Sequence, residues 1–254
     1  MTETQKMPCR ESDFLNDRSG ISGFRHRKLV RSLLESPDFE RNLISKDLLP
    51  EKIINPLLSF LFETDEVIRW RAIRAVGVTV SAICRKAVEP ARVIMRRLIW
   101  SLNDESGGIG WGSPEAMGEI MAEDETLARE YHRILISFID ENGNLLENPE
   151  LERGVLWGIN RLAQKRPELL NSWTGPILKQ LSSHDPMKRG LAILILLLLV
   201  RSVNGEIGFD RFTPGLLSSL KDESKIRIYQ DGSFIEHKIS RIASELIDSL
   251  TGSP

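Results

Sequence analysis

Runs rich in small and aliphatic residues, separated by short polar stretches, repeat along this chain from Pro50 onward. In front of them stand Asp65-Glu66, Ser113-Pro114, Asn148-Pro149 and Asp185-Pro186, spaced at roughly 35 to 45 residues, the kind of period that marks repeating helical units. Each dipeptide joins a good N-cap residue to an acidic residue or proline at the first helical position. An N-cap oxygen satisfies an orphan backbone N–H, and proline is tolerated where that N–H has no partner, so the dipeptides predict helix starts. The first helix of each predicted pair is, in order, EKIINPLLSFLFE (kinked at Pro56), ARVIMRRLIWSLND, ETLAREYHRILISFIDE, the stretch after Pro167 broken by Gly175-Pro176, and TPGLLSSLKD. The second helices are the run from Asp65 through WRAIRAVGVTVSAICRKA, then SPEAMGEIMAED, PELERGVLWGINRLAQK, PMKRGLAILILLLLVRS and SFIEHKISRIASELIDSL. Upstream, Ser22 is expected to cap a helix to about Glu35 and a short helix to follow Asp38. Residues 1–21 read as a flexible polar arm, and 22–254 as a single domain.

Registers inside the runs support a repeat. Trp70, Ala75 and Gly77 return 41 residues later as Trp111, Ala116 and Gly118, and Arg153-Gly154 returns 36 residues later as Arg189-Gly190. Small residues let one helix approach the next closely while branched aliphatics fill the stack. No run can bury its apolar face alone, so the units must stack into an all-α solenoid. The segment TDEVIRWRAIRAVG, Thr64 to Gly77, resembles the second helix of a HEAT repeat, with Asp65, Val67, Arg69, Ala72, Ala75 and Gly77 filling the pattern and Val76 where leucine is commoner. The resemblance, to the PBS-lyase HEAT-like group, extends over about residues 50–250 and implies an α-superhelix of five to six antiparallel helix pairs. RRLIWSLNDESGGIGWGSPEAMGEI is similar to uncharacterised bacterial HEAT-like proteins, best represented in anaerobes, which supply no assigned activity.

Ile139–Leu145 and Lys225–Phe234 interrupt the helical pattern. Asn142-Gly143 and Asp231-Gly232 are strong turn dipeptides, and each segment is expected to form a loop or brief hairpin between helices.

Composition bounds the function. A hydrophobic content of 41% and a charged content of 28% suit a soluble chain with a continuous core, and 6% aromatics favours helices over a β-sandwich. A net charge of −2 argues against a dedicated nucleic-acid coat. Cys9 and Cys84 are too few for a disulfide framework or a cysteine zinc site, which points to the reducing cytoplasm. The N-terminus lacks the apolar core of a signal peptide. The ten-residue run Leu191–Val200 is too short for a membrane span, which needs roughly 20 apolar residues, so it is expected to be a buried helix.

One repeat breaks its own rule. A helix starting near Asp104 should run through Trp111, but Ser106-Gly107-Gly108-Ile109-Gly110 intervenes, and glycines weaken a helix by roughly 1 kcal/mol each. Local exceptions of this kind are enriched at functional sites. The loop carries Glu105 and Trp111, and the helix behind it carries Glu115 and Glu119 on one face. Together they suit a cation, a basic peptide or an amine ligand. Alternatively Glu115 favours the helix dipole, Trp111 packs in the core and Glu119 pairs with an arginine of a neighbouring repeat. Arg69 to Arg97 holds eight bases and the single acid Glu89, whereas Asp104 to Glu130 holds eight acids and the single base Arg129. These blocks read as a ladder of ion pairs between repeats, or else as a basic groove for phosphates centred on Arg92 and Arg96.

Catalytic chemistry finds little. His26, His132, His184 and His237 are scattered, and none lies three residues after a glutamate. Glu236-His237 is a lone Glu-His pair, and no metalloprotease, phosphate-loop or nucleophile-elbow motif occurs. The leading expectation is a non-catalytic cytoplasmic scaffold without cofactor or metal, binding a protein partner on its concave face with Trp70, Trp111 and Arg74 as anchors. The alternative is a small-ligand binder or enzyme at residues 105–119. HEAT-like repeats also occur in phycobilin lyases and DNA alkylpurine glycosylases, so DNA binding by the basic repeat stands third.

Overall fold

The computed structural model describes residues 20–45, 48–103, 110–202 and 213–251. The expected arm, except its last two residues, and the glycine loop with Glu105, except Gly110, lie outside the described residues. Helices α1 (Gly20–Glu35) and α2 (Phe39–Ser45) lead in. Pairs follow: α3 (Pro50–Ser59) with α4 (Glu66–Lys86), α5 (Val88–Trp100) with α6 (Ser113–Glu123), and α7 (Glu125–Ser137) with α8 (Pro149–Lys165). The short α9 (Thr174–Lys179), set between 3-10 turns, precedes α10 (Pro186–Ser202), and α11 (Pro214–Ser219) precedes α12 (Ile239–Thr251). An antiparallel hairpin, β1 (Lys225–Gln230) and β2 (Ser233–Lys238), is inserted between the last two helices.

Second helices stack on one another in the order α4, α6, α8, α10, α12, and each first helix packs against the second helix of its pair. The caps are those the sequence predicts at three starts: Asp65 accepts from Val67 and Ile68, Asn148 from Glu150 and Leu151, and Asp185 from Met187. Helix α6 differs. Its N-cap residue is Gly112, at φ 73, and no side chain caps it. The left-handed turn brings the chain in, and the Ser113 hydroxyl instead shares a 2.9 Å hydrogen bond with Ser101.

The repeated registers have physical roles. Arg153 Nε donates to Asp185 at 2.6 Å, and Arg189 Nη2 donates to Asp222 at 2.5 Å, the same rung in successive repeats. A Cβ added at Gly118 would lie 2.3 Å from Gly158 Cα, so α6 and α8 meet backbone to backbone. Leu191–Val200 lies inside α10, whose aliphatic residues are mostly buried against α8 and α12. Among the described residues no helix is long and apolar enough to cross a membrane.

The two interruptions diverge. Ile139–Leu145 forms turns without strand pairing, closed by Asn144 N–H donating to Ser137 O at 2.9 Å. Lys225–Lys238 is a true hairpin whose central residues Asp231 and Gly232 both have positive φ, 49 and 85, the signature of a type I′ turn.

Candidate functional site

The hairpin sits against the second-helix face. Ile226 packs toward α10, where a Cβ at Gly190 would lie 2.4 Å from its Cδ1. Tyr229 stacks on Trp70 of α4, with ring centroids 5.4 Å apart and planes at 12°. Trp157 of α8 contacts Trp70 at 4.6 Å, and its indole N–H donates to the Tyr229 carbonyl at 3.1 Å. Arg227 reaches Glu66 at the start of α4 at 2.9 Å. Ile226 and Tyr229 are three residues apart and so point to opposite faces of β1. One strand thereby bridges α10 on one side and the Trp70–Trp157 pair of α4 and α8 on the other, and the hairpin lies along the second-helix face.

Register explains the carbonyl contact. In a two-residue hairpin, Gln230 and Ser233 exchange hydrogen bonds, and the next residue pair, Tyr229 and Phe234, turns its main-chain groups outward. The Tyr229 carbonyl is thereby presented to the Trp157 indole.

Beneath the tip of the hairpin, Arg74, Glu119, Trp157, Asn160, Arg161 and Gln164 line a cavity of about 10 Å³ together with Tyr229, Gln230 and Asp231. Glu119 is wholly buried, and its Oε2 accepts from Arg74 at 2.8 Å and from Arg161 at 3.1 Å. Its Oε1 has no hydrogen-bond partner. Burial pushes the Glu119 carboxyl above the ordinary range, with Arg74 and Arg161 pulling it down. Arg74 also donates to Glu40, at 3.1 Å, so one chain of charges links α2, α4, α6 and α8.

Glu115, one turn earlier, faces α8 beside Gly154. Its Oε2 is shut off from solvent without a partner, and burial lifts its pKa to about 7 against a hydrogen bond from its own backbone N–H and the charge of Arg69, with Glu150 adding to the shift. Trp111 is half-buried against the core and does not join the cavity under the hairpin. Arg92 pairs with Glu130 of α7 and Arg96 with Glu89 of its own helix at 2.6 Å. The structure therefore brings Trp70, Arg74 and Glu119 together, and leaves Glu115, Trp111, Arg92 and Arg96 elsewhere. Sequence reasoning missed Trp157, Asn160, Arg161 and Gln164, although their spacing of three, four and seven residues marks one helical face carrying an indole and polar groups. It also missed Tyr229, whose role depends on the hairpin folding back.

No family model matches the chain. An uncharacterized protein of Archaeoglobus fulgidus is 32% identical over 120 residues, 47% of this chain and 56% of that protein, so the chain spans little more than half of this relative. Among solved structures, a designed armadillo repeat protein in complex with the peptide (KR)4 is similar at TM-score 0.56 and 13% identity, covering 94% of this chain and 97% of that one. Computationally designed armadillo repeat proteins for modular peptide recognition give 0.52 at 13% identity, with the same coverage. An archaeal HEAT-like repeats protein of Thermococcus onnurineus gives 0.45 at 16% identity, covering 93% and 83%. The chain has the fold of the designed armadillo repeat proteins, a solenoid of stacked helices.

Proposed function

We propose that this protein is a non-catalytic scaffold that binds a protein partner through its concave face, taking an extended segment of that partner. One observation carries the reading: the face already holds an extended strand, β1, by an indole-to-carbonyl hydrogen bond from Trp157 and a ring stack from Trp70. A donor aimed at a main-chain carbonyl supplies affinity that every polypeptide can use, and side-chain pockets supply selectivity. The solved armadillo complex with a (KR)4 peptide supports the same use of the fold.

A second reading, a small ligand held by Glu119, is disfavoured by size: the cavity beneath the hairpin tip, about 10 Å³, has room for a water molecule and no more. Duplex DNA stays third, because its phosphates would have to displace Glu130 and Glu89 from Arg92 and Arg96.

The test selects peptides from a displayed library on the intact chain and maps their contacts by cross-linking mass spectrometry. Cross-links in α4 and α8 are expected. Cross-links confined to α5 and α7 would overturn the reading.

A further inference from the structure

We propose that the β1–β2 hairpin is a tethered stand-in for the partner: the concave face recognises an extended segment with an aromatic residue in the place of Tyr229, and the hairpin must leave before that segment binds. The inference rests on the reading of this face as a polypeptide-binding surface and adds who occupies it at rest and what chemistry replaces it.

Four observations support it. The strand is held as a ligand would be, by its main chain at Tyr229 and by one aromatic side chain between Trp70 and Phe234. Its far end is fixed to α4 by Arg227 and Glu66, both half-exposed, a kind of pair that contributes little and breaks easily. Among the described residues, the buried side-chain polar atoms without a partner are Glu115 Oε2, Glu119 Oε1, Tyr229 Oη and His237 Nε2. Of these, Glu119 Oε1 lies beneath the hairpin tip and His237 Nε2 is on β2 itself, whereas buried polar groups in a permanent core are nearly always paired. Finally, a two-stranded hairpin has no stability of its own in water, so it persists only while docked.

The chemistry of the replacement follows from what the hairpin presents. Ile226, Ile228 and Tyr229 are buried, while Lys225 and Arg227 stay exposed. A competing segment therefore needs an aromatic residue, aliphatic residues one and three positions before it, and an outward carbonyl at the aromatic position for Trp157. Positions that alternate with the aliphatic residues are free to be polar. The partner's apparent affinity is its intrinsic affinity reduced by the fraction of molecules with the hairpin open.

The experiment measures binding of a fluorescein-labelled peptide, KIRIYQ, to the full chain by anisotropy. The Tyr229→Ala variant loosens the hairpin while leaving the receiving helices intact. It is expected to bind the peptide at least about ten-fold more tightly than wild type, and adding Trp70→Ala should remove that gain. The control peptide KIRIAQ should not bind. Should Tyr229→Ala fail to fold, Arg227→Glu, at an exposed position, replaces it and should show a smaller gain of the same sign. Hydrogen exchange on the wild type should show hairpin amides opening well before those of α8 and α10. Equal affinity for wild type and variant, abolished by Trp70→Ala, would overturn the inference while leaving the peptide-binding reading intact. Absence of binding to every form would overturn it too, and the library selection then decides the broader reading separately. A dimer of the loosened variant in place of peptide binding would make a second copy's hairpin the occupant and likewise overturn it.

Discussion

Glu115 and Glu119 sit one helical turn apart and meet different surroundings. Glu119 is held by two arginines, whereas Glu115 Oε2 lies buried with no donor and its pKa rises to about 7. A carboxyl whose pKa is raised on folding stabilises the fold while protonated. That contribution is complete below its unfolded value near 4.5 and is lost as pH rises through about 7. The glutamine variant keeps the neutral shape at every pH. Glu115→Gln is therefore expected to match wild type near pH 4.5 and to exceed it by up to about 3 kcal/mol at pH 8, read as the melting temperature across that range. A difference between the two proteins that stays the same at both pH values would show that Glu115 titrates normally. The sequence placed both carboxylates on one face. Its alternative reading paired Glu119 with an arginine of a neighbouring repeat, as found, but could not name Arg161, which lies 42 residues away and meets Glu119 only through the stacking of α6 on α8.

At the scale of elements, the helix starts were legible because capping is local: Asp65, Asn148 and Asp185 need only the next three residues to act. The start of α6 was less so, since its geometry depends on Gly112 adopting a left-handed turn. The meeting of α6 and α8 permits a sharp test, because two effects oppose one another. Alanine at Gly118 improves helix propensity by about 1 kcal/mol. The added Cβ would stand 2.3 Å from backbone of α8, and such overpacking costs about 1–3 kcal/mol or more. The steric effect should win, because backbone cannot rotate aside as a side chain can. Gly118→Ala is expected to lower the melting temperature by several degrees, and an unchanged or raised value would mean that α6 and α8 slide apart freely.

For the whole molecule, the solenoid was readable from the repeat period and the hairpin from its turn, but the docking of one on the other was not. Nothing near Tyr229 in sequence names Trp70 or Trp157 as its neighbours. Most stacking contacts join helices adjacent in the repeat, while Arg227 and Glu66 are separated by 161 residues. Contacts between distant parts of a chain form slowly, because loop closure must precede them. Neighbouring helix pairs should thus zip together first, and the hairpin should dock last. Refolding followed by far-UV circular dichroism is expected to finish before the tryptophan fluorescence of the Trp70–Trp157 cluster settles. A chain whose residues 225–238 are replaced by a short Gly-Ser connector should lose the late fluorescence phase and keep the early one. Coincident phases in the intact chain would mean that the hairpin docks together with the helices. With two indoles at the seam, the order of assembly can be timed without any added label.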